Sequence, residues 1–100
     1  MRRALLRNLS RALILNEKIT TTNEKAAELR RFVEPFITKS KNDSLATRRF
    51  FARFFDEKIV RKLMGSVGPR YKDRKGGYTR ITKRTPRKTD AARMAVIEFV

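Results

Sequence analysis

Residues 65–83 read GSVGPRYKDRKGGYTRITK, and within them the pattern of the chain changes. All four glycines fall between Gly65 and Gly77, with Pro69 among them. The run Tyr78–Lys83 that follows alternates like a strand. Upstream, apolar residues recur at helical spacing; downstream, the last apolar run is β-branched. A chain that passes from helices to strands in this way is read as α+β. The same stretch poses a chemical question. Glycines beside Lys75 could cradle a nucleotide's phosphates, turn a hairpin, or let a basic clamp close on a nucleic-acid backbone.

Working outward, Arg2 to Leu15 is expected to be a helix. Leu5, Leu6, Leu9, Ala12 and Leu13 form its apolar face, and Arg3, Arg7 and Arg11 an acid-free ridge opposite. A solvated ridge usually mixes signs to gain i,i+4 pairs, so this one is assigned to phosphate contact. Glu17 to Thr22 is β-branched and predicts a strand, and Thr21-x-x-Glu24 resembles a capping box. Asn23 to Ser40 predicts one long helix with Ala26, Leu29, Phe32, Val33, Phe36 and Ile37 inward. Pro35 lies off that stripe, so a kink is expected rather than an end. Glu24, Glu28, Arg30, Arg31 and Glu34 make an ordinary outer face.

Residues 41–44, KNDS, predict a turn capped by Asp43 or Ser44. Leu45 to Phe55 predicts a helix with Phe50, Phe51, Phe54 and Phe55 on one side and Arg48, Arg49 and Arg53 on the other. Four rings at that spacing could form a base-stacking platform, but a small domain needs their bulk, and they are assigned to the core. Asp56 to Met64 predicts a short helix ending at Gly65, then a long loop over SVGPRYKDRK. KRTPRKTD, residues 83–90, is a basic loop, and Met94 to Val100 a buried strand. The expected order is helix, strand, three helices and two strands, as one domain over 1–100.

The composition narrows the chemistry. Among 100 residues there are 26 Lys and Arg against 10 Asp and Glu, a formal net charge of +16. Hydrophobic residues make up only 40% and charged residues 36%, so the chain is strongly self-repelling unless a polyanion neutralises it. Cysteine and histidine are absent, which removes disulfides, thiolate zinc sites and imidazole catalysis. No apolar run is long enough for a transmembrane helix, and Arg7, Asn8 and Arg11 interrupt any signal-peptide core. An Arg-rich organellar targeting peptide stays open.

No phosphate-binding motif survives inspection. In the P-loop the lysine follows the glycine and a helix follows the loop; here Lys75 precedes Gly76 and a strand follows. Asp43, Asp56, Asp73 and Asp90 stand alone at element boundaries, where caps and turns use them, and Asp73 is expected to pair with a neighbouring arginine. No metal site, cofactor or small-molecule substrate is indicated. The informative constellation is Arg70, Tyr71, Lys72, Arg74, Lys75, Gly76, Gly77, Tyr78, Arg80, Lys83, Arg84, Arg87 and Lys88. Cations pair with phosphates, tyrosines can stack on an exposed base or hydrogen-bond a sugar, and glycines admit close backbone approach. Together with Arg2, Arg3, Arg7, Arg11, Arg48 and Arg49, these residues are the candidate nucleic-acid surface. Charge spread over several faces favours folded RNA over DNA. A free nucleic-acid-binding regulator is the alternative, and an enzyme using the scattered acids or a membrane-surface peptide are further ones.

Four stretches carry a family resemblance: RALLRNLSRALILNEKITTT, KAAELRRFVEPFITKSKND, VRKLMGSVGPRYKDRKGGYTRI and DAARMAVIEFV. In that order and spacing the chain resembles the seventeenth-protein family of the bacterial-type large ribosomal subunit. GPRYKDRKGGYTRI is the most specific part. The resemblance implies the element order given above, in two layers with a small sheet, and binding to large-subunit rRNA. It also implies neighbouring ribosomal proteins near the outer end of the exit tunnel, a cytoplasmic or organellar ribosome, and no catalysis. The family commonly begins with a basic arm ahead of MRRALLRN. It also commonly carries glycines where this chain has Thr85 and Thr89, and a proline in place of Arg93.

Overall fold

The computed structural model describes residues 2–84 and 93–100. Helix α1 (Arg2–Asn16) leads into strand β1 (Lys18–Thr22), then α2 (Asn23–Ser40), α3 (Leu45–Ala52) and α4 (Glu57–Lys62). Beyond α4 the chain stays helical through a π-helical stretch (Leu63–Val67) and a last turn, α5 (Gly68–Arg70). Strands β2 (Thr79–Lys83) and β3 (Met94–Phe99) complete the order. The α+β arrangement expected from the sequence is what folds.

The sheet is antiparallel in the order β1-β3-β2, with Ile19 and Ile81 both opposite Ile97. Ala95, Ile97 and Phe99 of β3 face the helices and join the core, and α2 lies across all three strands. Phe36 of α2 is its aromatic centre. The rings of Phe32, Phe50, Phe51, Phe54 and Phe55 stand 5.2–6.0 Å from it, tilted or edge-on as their quadrupoles prefer. The phenylalanines of the third helix therefore serve the core as expected. Phe51 and Phe55 are buried, while Phe50 and Phe54 keep one exposed flank.

Each of the helices α2, α3 and α4 starts on a side-chain cap. Thr22 accepts from Lys25 N (3.3 Å), Ser44 from Thr47 N (3.1 Å) and Asp56 from Ile59 N (3.2 Å). The cap of α2 is thus Thr22 and not Thr21, whose side chain is buried opposite Ala95 in the sheet. Pro35 is exposed, and α2 continues through it, as the unbroken stripe implied.

Three expectations are corrected. In α1 the inward face is Leu6, Ser10, Leu13 and Ile14, with Leu5 exposed; Ser10 fits because its hydroxyl donates to the Leu6 carbonyl at 2.7 Å. The third helix closes at Ala52, three residues before Phe55. Gly65 does not end the fourth. The π-helical stretch adds a residue to the turn and buries Leu63, Met64 and Val67, so the helix runs on to Arg70. It also sets Gly68 against the end of α2, where a Cβ would lie 2.2 Å from the Ser40 carbonyl oxygen. Only glycine allows that approach.

Candidate nucleic-acid interface

The residues from Tyr71 to Tyr78 form a tight turn rather than a loose loop. Tyr71 N–H donates to the carbonyls of Val67 and Gly68, and Arg74 N–H to that of Tyr71. Gly76 (φ 108°) and Gly77 (φ 63°) then take the left-handed conformations that let the chain reverse into β2. Nothing crowds either glycine, so backbone freedom is what the pair supplies.

Both tyrosines point inward, which corrects their assignment as base-stacking groups. Tyr71 is 3% exposed and Tyr78 1%. Their rings lie 5.3 Å apart, and Tyr71 meets Phe99 edge-on at 6.3 Å. Tyr71 donates to the Val100 carbonyl at 2.5 Å, and Val100 N–H returns a bond to the Tyr78 carbonyl at 3.0 Å. The Tyr78 hydroxyl donates to the Arg74 carbonyl (3.3 Å) and shares a hydrogen bond with Thr38 Oγ1 (3.1 Å). Burial alone would raise the Tyr78 phenol, but the nearby Lys41 ammonium and the Thr38 hydroxyl outweigh it, and the net shift is downward.

Lys41 escaped the sequence reading. Its ammonium lies 4.9 Å over the Tyr78 ring and donates to the Arg74 carbonyl, pinning the turn to the end of α2. Nothing in KNDS announces a contact 33 residues away.

With the rings tucked under, Lys72, Arg74 and Lys75 stand exposed on the turn, and Lys83 and Arg84 at the far end of β2. None of the five forms an ion pair with a described acid, and neither do Arg3 and Arg49. Other candidate cations are engaged. Arg11 meets Asp56 at 2.8 Å, Arg48 meets Asp43 at 3.3 Å, and Arg80 meets Glu98 at 3.0 Å. The ridge of α1 therefore lies against α4 and Phe54, where Arg7 sits, rather than facing away. Asp73, expected to pair with a neighbouring arginine, makes no ion pair with a described cation. Arg2 lies in α1, and Arg87, Lys88 and Asp90 lie outside the described residues.

Arg70 is exposed but engaged by an acid. Both its amino groups bind Glu17, each at 2.7 Å, and Lys62 Nζ reaches the same carboxylate at 2.7 Å. These hydrogen bonds hold Glu17 at about 2, well below the usual carboxylate value, and raise Arg70 further above its own. The fork is spent inside the molecule.

The described residues hold no cluster of acids able to bind a metal, and no described helix is long and apolar enough to cross a membrane. What the geometry offers is a hydrogen-bonded turn carrying cations that are unpaired among the described residues. Compared with known protein families, residues 5–100 match Ribosomal protein L17. The chain belongs to the ribosomal protein L17 family. Within it, the large ribosomal subunit protein bL17 of Treponema pallidum subsp. pallidum and that of Treponema pallidum (strain Nichols) are each 51% identical over 100 residues. Each alignment covers 99% of this chain and 61% of the relative, so the chain spans less than two thirds of those family members.

Proposed function

We propose that the chain is a structural constituent of the large ribosomal subunit that binds rRNA and catalyses nothing. The observation that carries this reading is the turn from Tyr71 to Tyr78. Its rings anchor the backbone, and its cations Lys72, Arg74 and Lys75 are exposed with no ion-pair partner among the described residues. Such charges release counterions when they meet phosphates, and a rigid support spares the entropy of ordering them. Lys83, Arg84, Arg3 and Arg49 extend the surface, and Gly76 and Gly77 shape it. Arg2, Arg87 and Lys88 stay with it on their charge alone. Arg11, Arg48 and Arg80 are exposed and can exchange an acid for a phosphate, as surface pairs are weak.

The protein works in the cytoplasm within the ribosome, beside other large-subunit proteins near the outer end of the exit tunnel; family resemblance supports that position. Sucrose-gradient sedimentation of cell extract in high salt tests the reading. The protein should travel with the large subunit. Its recovery only at the top of the gradient would identify a free regulator instead.

A further inference from the structure

A groove of about 710 Å³ opens between α1, α2 and the residues that follow α3. Phe36 is its floor, and Phe32 and Phe54 are half-buried walls. Arg3, Arg7 and Arg31 rim it, and no carboxylate is among the lining residues. The Arg7 guanidinium lies 5.8 Å over the Phe54 ring. Its Nε is buried with no hydrogen-bond partner among the described residues, a costly state for a charged donor.

These features specify a ligand. Exposed ring flanks suit a flat aromatic group. Guanidinium forks without a carboxylate suit phosphate oxygens, which they bind in pairs. The volume lies within the range of roughly 300–1,000 Å³ usual for small-molecule sites. RNA readers take a base out of its stack and hold it between aromatic and Arg planes in this way. We propose that the groove receives one unstacked nucleobase of rRNA against Phe54 and Phe32, with its flanking phosphates on Arg3, Arg7 and Arg31. The proposal rests on the rRNA-binding reading above and adds a second contact, remote in sequence from the Tyr71–Tyr78 turn.

Short-wavelength ultraviolet crosslinking of the protein bound to large-subunit rRNA, followed by mass spectrometry of its peptides, tests this. Nucleotide adducts are expected on Phe32 or Phe54. Phe54→Leu should lower their yield about tenfold, in line with the worth of a base–aromatic stack. Should that variant unfold, Arg31→Glu, at an exposed position on α2, should lower the yield as far while rRNA stays bound through the turn. Full rRNA binding without adducts at either ring, or adducts indifferent to Arg31→Glu, would overturn the proposal alone. So would tight binding of a short peptide of alternating glutamate and leucine that rRNA fails to displace, since the groove would then serve a protein. Failure of the wild-type chain to bind rRNA would overturn the functional reading as well.

Discussion

Glu17 is the residue on which most of the framework converges. It ends α1 with φ 65°, a conformation costing a non-glycine residue about 1–2 kcal/mol. Its N–H donates to Leu13, its carbonyl accepts from Phe99, and its carboxylate holds Arg70 and Lys62. One residue thus ties α1, β3, α4 and α5 together. Because its pKa falls from 4.5 to about 2 on folding, its stabilisation is complete above pH 4.5 and is lost as pH drops toward 2. About a third of the side chain is exposed, so solvent screening leaves about 1 kcal/mol. Urea melts of Glu17→Gln should show that deficit at neutral pH and a vanishing one near pH 2; a deficit independent of pH would mean that shape rather than charge matters. Gly68→Ala should cost about 2–3 kcal/mol in the same melts, since Ser40 is met through backbone that cannot step aside. Neither role shows in the sequence. Glu17 sits in the ordinary run EKITTT, and Gly68 is one of four glycines in a stretch that reads as loop. Both depend on residues far along the chain, and a local pattern holds no record of them. The tyrosines failed for a related reason: a ring among cations looks like a stacking group until the fold shows which side of the backbone is inside.

Helix starts were legible because caps are local. Asp56 illustrates this, its carboxylate accepting from Ile59 N while Arg11 closes on it from α1. Asp56→Ala should lower the urea midpoint by an amount worth about 1 kcal/mol. Asp56→Asn keeps a capping oxygen and loses only an exposed ion pair, so it should cost a few tenths, roughly. If the two variants were equally harmed, the Arg11 contact would matter more than the cap. Helix ends were less legible. Gly65 reads as a stop, yet burial of Val67 and the contact of Gly68 with α2 carry the helix onward. Tertiary packing overrides a local terminator when the residues beyond it have core to fill. In α1 the true stripe includes Ser10, whose hydroxyl satisfies itself within the helix, so polarity misled the choice of face.

Across the whole molecule, acids and cations divide into two populations. Glu17, Glu34, Asp43, Asp56, Glu57 and Glu98 are each met by an Arg or Lys. The cations of the turn and of the end of β2 are left over, and with them much of the +16 charge. Substituting Lys72, Arg74 and Lys75 together by alanine should weaken rRNA binding. It should also flatten the plot of log affinity against log salt by about 2, at about 0.7 per phosphate for unpaired RNA. An unchanged slope in filter-binding titrations would move the contact elsewhere. Fold class and the basic character of the surface could be read from composition and periodicity. The sorting of individual cations into structural and available ones could not, because it depends on where the few acids lie in space.

The strand order has a consequence for how the chain comes together. β3 lies between β1 and β2, yet follows both along the chain. Neither earlier strand can pair with the other in this order, so during synthesis from the N-terminus the sheet has no nucleus until residues 94–99 emerge. The helices can collapse around Phe36 beforehand, because their contacts are near in sequence. What the last strand then completes is the seat of the Tyr71–Tyr78 turn, since Phe99 and Val100 are its underside. The basic turn is thus finished late, and a nascent chain holds its cations in no fixed array until β3 has been made and has paired.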